Sequence, residues 1–159
     1  MQTPVPNEIQ RIALLIEAEA SQLKEFLALL DWEETLLVAG ETDALPAVTQ
    51  EKSERHRQLQ RLHDDRAILL ARRGLKNDTQ ALHTLYAHLP RVLARWEEVR
   101  SLASRARERN ATNGRLIAGH MSHTQAALSV LLSAANHPQL YDAGGHSRPG
   151  GGGRILGRA

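Results

Sequence analysis

The sequence predicts an all-α protein: a long antiparallel helical hairpin or bundle of three main helices, with a coiled-coil-like seam and a flexible C-terminal tail. Three observations predict it. The apolar residues are mostly leucine and alanine, both strong helix formers, and the only aromatics are Phe26, Trp32, Tyr86, Trp96 and Tyr141. No stretch alternates with the period of two that a half-buried strand needs. Apolar residues instead recur at spacings of three and four through most of the chain, as on one face of a helix. With 159 residues, one core domain is expected. Composition changes near residue 136, so the chain divides into a helical domain, 1–136, and a Gly-rich tail, 137–159.

The first helix opens after Pro4 and Pro6, with Asn7 placed as N-cap and Glu8 in the first turn. Its seam reads Ile9, Ala13, Ile16, Ala20, Leu23, Leu27, Leu30 and Leu37. "AGETDA" stops it: Gly40 suits the left-handed position after a helix, and Thr42 or Asp43 can cap the next one. Pro46 is tolerated in a first turn. The second helix carries Leu45, Val48, Lys52, Arg55, Leu59, Leu62, Arg66 and Leu69 on one face. Three of these are basic, and their long stems can cover apolar surface. Gly74 ends it. "NDTQALHTLYAHLP" is a short helix or the start of the third, capped by Asn77 or Asp78, with Pro90 as a kink or restart.

The third helix is predicted along Val92, Trp96, Val99, Ala103, Ala106, Asn110, Asn113, Ile117, His120, Thr124, Ala127, Leu131 and Ala134. It crosses "RERNATNGRLI" (107–117), where Asn-Gly is a strong turn signal. The three-four phase does not break there, and a turn would reset it. A continuous helix is therefore expected, at a cost of about 1 kcal/mol for Gly114 relative to Ala. Asn110 and Asn113 then fall one turn apart on the inner face, where an amide can fix register across a seam. After residue 136, "NHPQLYDAGGHSRPGGGGRILGRA" lacks the apolar content to order itself, but Leu140, Tyr141 and "RILGRA" are apolar anchors of the kind that fold on binding.

Charge is unevenly placed. Residues 7–39 carry a net −5 and residues 44–76 a net +4, so the first two helices should pair. The overall charge is only +2, the bases are interleaved with acids, and no aromatic platform accompanies them, which argues against nucleic-acid binding. No cysteine is present, so neither a disulfide framework nor a Cys-based zinc site is expected. The N-terminus lacks the pattern of a signal peptide, and no apolar run approaches the ~18–20 residues of a membrane span. A cytoplasmic protein is expected.

Enzymatic chemistry finds little support. Asp64 and Asp65 are adjacent and diverge on a helix. The glycines at 150–153 lack the Lys-Ser/Thr of a phosphate loop. His120 and His123 share a helix face and are the best metal candidates, but no Glu-x-x-His pattern of a di-metal bundle accompanies them. Neither an enzyme nor a cofactor is expected. Helix-mediated protein binding is what remains.

Four segments, in order, resemble the FlgN family of flagellar export chaperones: "LPAVTQEKSERHRQLQRLHDDRAILLARRGL" (45–75), "NATNGRLI" (110–117), "HTQAALSVL" (123–131) and "LYDAGG" (140–145). The resemblance implies a small cytoplasmic chaperone of the flagellar type III export system. Such a protein holds the C-terminal helical ends of the hook–filament junction proteins FlgK and FlgL and hands them to the export gate protein FlhA, without hydrolysing ATP itself. It further implies that Asn110, Asn113, Gly114, Leu116 and Ile117 lie in the substrate-binding half and that Tyr141 docks the gate. The apolar face predicted beyond them adds Met121, Thr124, Leu128 and Leu131 to the substrate-binding set. A monomer forming one-to-one complexes is the expected state. A coiled-coil adaptor in another assembly, which predicts a homo-oligomer, and a metal-binding bundle built on His120 and His123 are the alternatives.

Overall fold

A computed structural model describes residues 7–136, 140–141 and 147–148. The chain divides into two units, one reaching to Leu116 and one beginning at Ile117.

The first unit starts with α1, Glu8–Ala39. Asn7 and Gln10 cap it reciprocally: the Asn7 side chain accepts from the Gln10 N–H at 2.9 Å, and the Gln10 side chain accepts from the Asn7 N–H at 3.1 Å. Two of the four donors orphaned at a helix start are satisfied in this way. Gly40 ends the helix at φ 72°. Its N–H and that of Glu41 return to the Leu37 and Leu36 carbonyls, a left-handed stop that glycine adopts without strain.

Helix α2, Leu45–Arg72, has Ala44 as its N-cap and no side-chain cap. Neither Thr42 nor Asp43 takes the role expected of it. Pro46 explains why the loss is tolerable: it has no N–H to satisfy, and its φ is already helical. Gly74, at φ 70°, terminates the helix. Asp78 caps a short α3, Thr79–Leu85, accepting from the Ala81 N–H at 2.8 Å. Helix α4 is Pro90–Asn136. Pro90 therefore restarts the chain rather than kinking it, since proline disfavours helical backbone at the residue before it. Helix α4 runs through Asn113-Gly114 without a turn.

Burial of one stripe from each helix holds the first unit together. Ile12, Ile16, Ala20, Leu23, Leu27 and Leu30 of α1 meet Leu69 and Leu70 of α2 and Trp96, Val99, Leu102 and Ala106 of α4. Leu82 of α3 and Tyr86 close this core, and the Tyr86 hydroxyl donates to the Ile9 carbonyl. Leu29, Leu36 and Val48 form a smaller cluster beneath the α1–α2 connection. The expectation that Asn110 lies on the inner face needs correction: Asn113 is buried and Asn110 is exposed. A helix of 3.6 residues per turn drifts against a strict three-four repeat. The stripe of α4 passes through Leu102, Ala106 and Asn113, and Asn110 falls to its edge.

In the second unit α4 continues from Ile117 to Asn136, and Leu140–Tyr141 pairs antiparallel with Ser147–Arg148, Tyr141 opposite Ser147. Two residues a side make a local clasp rather than a sheet, so the protein is all-α. The other residues of 137–159, and with them the expected flexible tail, lie outside the described residues.

Candidate protein-binding surface

The acidic and basic segments pair as their charges predict, and the pairs run in opposite order along the two helices, as an antiparallel hairpin requires. Glu33 meets Lys52, Glu25 meets Arg55, Glu19 meets Arg66, and Glu8 meets Arg72. One of these pairs is buried on both sides and a second on its acid side, which separates them from the exposed pairs, worth only ~0–1 kcal/mol each.

The first buried pair is Glu19–Arg66, with both residues under a tenth exposed. The Arg66 guanidinium also donates to the Asn77 side chain at 2.9 Å and stacks 4.4 Å above the Trp96 ring. It thus ties α1, α2 and α4 through one planar group, a use that suits arginine and not lysine. Burial raises the Glu19 pKa, and the neighbouring Arg66 opposes that rise. Glu19 Oε1 has no hydrogen-bond partner.

The second pair sits near the other end of the hairpin. Glu33 is 1% exposed, and its two oxygens accept from Lys52 Nζ at 2.9 and 3.1 Å. Asn113, wholly buried, donates from Nδ2 both to Glu33 Oε1 and to the Leu30 carbonyl, each at 2.9 Å. The amide therefore spends both its donors on α1. This is register-fixing across a seam, the role a core asparagine plays in coiled coils. Outside the seam, Arg95 bridges Glu17 and Glu98 while Lys24 reaches Glu98 at 2.7 Å. The hydrogen bonds from Lys24 and Arg95 hold the Glu98 carboxyl below its usual range.

The residues named from sequence therefore separate. Asn113, expected in the substrate-binding set, is instead wholly buried, with its Nδ2 spent on α1 and its Oδ1 without a hydrogen-bond partner. Asn110 is exposed beside α2, and Gly114 is exposed in mid-helix, where an added Cβ would meet nothing. Leu116 and Ile117 are half-buried. Met121, Thr124, Leu128 and Leu131 are exposed, Leu131 by 67%. The Thr124 hydroxyl bonds back to the His120 carbonyl at 2.9 Å, which leaves its methyl group to the surface. Ile117, Met121, Thr124, Leu128 and Leu131 follow steps of four and three, so they share one face of α4. Leu132 and Val130, exposed by 55% and 69%, were not singled out from sequence. Leu132 was recoverable, lying one turn beyond Leu128 on the same face. Val130 has no such signal. The backbone of Tyr141 lies in the two-residue ladder.

The composition of this stretch differs from that of the hairpin. Between Arg115 and Asp142 there is no Asp, Glu, Lys or Arg. No described helix is long and apolar enough to cross a membrane, and no described group of three or more His, Asp or Glu could hold a metal ion. Large apolar side chains left exposed along one helix face are the kind of feature that amphipathic helices pack against.

Comparison with known proteins bears on the same region. The family model described as FlgN protein matches residues 1–149. Over 152 residues the chain is 26% identical to "Flagella synthesis protein FlgN" of Yersinia enterocolitica serotype O:8 / biotype 1B (strain NCTC 13174 / 8081), an alignment spanning 94% of this chain and 96% of that protein. A Yersinia enterocolitica protein of the same description aligns with the same identity and extent. No solved structure matches. A match that takes in the paired hairpin, the Asn113 anchor and the uncharged end of α4 settles the family: the chain belongs to the FlgN family.

Proposed function

We propose that this protein is a cytoplasmic export chaperone that holds the C-terminal helical ends of the flagellar hook–filament junction proteins FlgK and FlgL and delivers them to the export gate protein FlhA. One observation carries the reading: the apolar face of α4 at Ile117, Met121, Leu128 and Leu131 has its large side chains half or more exposed from Met121 onward. An amphipathic helix awaiting assembly needs its apolar face covered, and a helix with a matching face does this through i, i+3, i+4 and i+7 anchors. The hairpin supplies a stiff base, with Asn113 fixing the register of α4 from inside and not touching the client. Leu116 and Thr124 complete the contact strip, while Gly114 and Asn110 border it. The division of labour follows residue 136: 1–136 is the chaperone domain, and the tail 137–159 closes over the client and presents Tyr141 to the gate. The work is binding and release, with no catalytic group and no cofactor. One chaperone pairs with one client.

Calorimetric titration of the full chain with the C-terminal segment of FlgK tests this. Burying a leucine side chain is worth ~1.5–3 kcal/mol, so Leu128→Asp with Leu131→Asp should weaken binding by more than about 100-fold at unchanged helix content. A double variant that still binds shows that the face is wrong. Tyr141→Ala should keep client binding and lose gate docking. Loss of both together would undo the separation of roles.

A further inference from the structure

Helices α2 and α4 both pack on α1, and between them an open groove of 680 Å³ remains, wholly within the first unit. Its apolar walls come from three helices: Leu23 and Phe26 of α1, Leu59 of α2, and Val99, Ala103 and Ala106 of α4. Ala103 and Ala106 are small, which leaves depth where a partner's side chains would enter. The groove follows α4 from Trp96 to Asn110, about 21 Å at ~1.5 Å per residue, or four helical turns. Three helices leave the fourth corner of a bundle empty, and the groove has the length to take one more.

Its charge says which kind of helix fits. Arg100 and Arg107 line it from α4, one above the other two turns apart, and His56 faces them from α2. Arg100 reaches only the exposed Glu97. The acids that line the groove are already used: Glu19 pairs with Arg66, and Asp78 caps α3. Asp78 and Glu19 therefore leave the two arginines as the charge that the groove presents along α4.

We propose that this groove is a second protein-docking site, distinct from the exposed end of α4, and that its occupant is an amphipathic helix of about four turns with acidic residues along the edge that faces Arg100 and Arg107. This site stands whether or not the client helix binds beyond Ile117, because none of its residues lies there.

The test uses the full-length protein carrying Leu128→Asp and Leu131→Asp, so that the exposed end of α4 does not compete. The probes are two designed 15-residue helical peptides with the same leucine face, one edged with glutamate and the other with lysine. Binding is followed by amide and indole chemical shifts. The acidic peptide should bind and move the Trp96 indole, Ala103 and Arg107 signals, at least tenfold more tightly than its basic twin. Arg100→Glu with Arg107→Glu should invert that preference, and Ala103→Trp should block both peptides. The inference is overturned if neither peptide binds at millimolar concentration, if both bind equally, or if the shifts map elsewhere. It is also overturned if the groove signals shift with protein concentration alone, since that would make a second copy the occupant.

Discussion

Lys52→Met probes the buried anchor near the α1–α2 turn. Among the described residues Lys52 is the one cation paired with Glu33, whose side chain is 1% exposed, and it binds both carboxylate oxygens. Removing it leaves Asn113 as the remaining side-chain donor to a carboxylate that water does not reach. Breaking a buried pair from one side costs about 3–5 kcal/mol, because the surviving charge is uncompensated. Glu33→Gln is milder. It keeps an acceptor for Asn113, and Lys52, 20% exposed, can turn its ammonium toward water, so roughly 1–2 kcal/mol is expected. The double variant should then be more stable than Lys52→Met alone, with a coupling of about 2–3 kcal/mol. Urea unfolding followed by far-UV circular dichroism measures all four corners of this cycle. A Lys52→Met loss below about 1 kcal/mol, the value of an exposed pair, would refute the reasoning. So would costs that simply add. Either result would mean that Glu33 is hydrated and that the pair does not anchor the hairpin.

Three further outcomes are expected. Burial pushes the Tyr86 hydroxyl up to about 12 from 10.0. The folded form therefore keeps a proton that the unfolded chain releases, and the resulting stability is present below pH 10 and lost as pH rises through 12. At ~1.36 kcal/mol per unit the loss approaches 2–3 kcal/mol, and Tyr86→Phe should remove that part of the alkaline slope in urea titrations from pH 9 to 12. Gly114→Ala should stabilise the chain by about 1 kcal/mol, since Gly114 is helical and an added Cβ meets nothing; a loss would mean that the backbone turns there. Gly40→Ala, at φ 72°, should instead destabilise by roughly 1 kcal/mol, because alanine resists the left-handed conformation.

Most of the hairpin was legible because its signals agree with one another. The three-four spacing, the Asn7 cap, the Gly40 and Gly74 stops and the opposed charges of the first two helices all describe the same object. The strongest local signal, Asn113-Gly114, was overruled by the phase on either side of it, and the structure has a helix there. What the sequence left open follows from geometry that periodicity does not encode. A seam position carries no record of whether its asparagine lies at the centre or the edge, so Asn110 and Asn113 read alike until α1 takes the second and leaves the first exposed. Glu19 and Glu33 look like surface acids in a helix, yet they sit in the core, because their partners Arg66 and Lys52 come from a segment more than thirty residues away in the case of Glu19 and nearly twenty in the case of Glu33. The groove between α2 and α4 has no linear signature, since it draws residues from every helix of the first unit. The apolar face at the end of α4 was legible in outline through Met121, Leu128 and Leu131, while Leu132 extends it by position alone.

The central claim is that the uncovered end of α4 receives the client helix. Amide hydrogen exchange on the full-length chain, with and without the C-terminal segment of FlgK, addresses it directly. The account predicts slowed exchange from Ile117 to Leu132 on adding the segment, with the amides of α1 and α2 unchanged. Protection confined to other parts of the chain, or none with either the FlgK or the FlgL segment at saturating concentration, would contradict it.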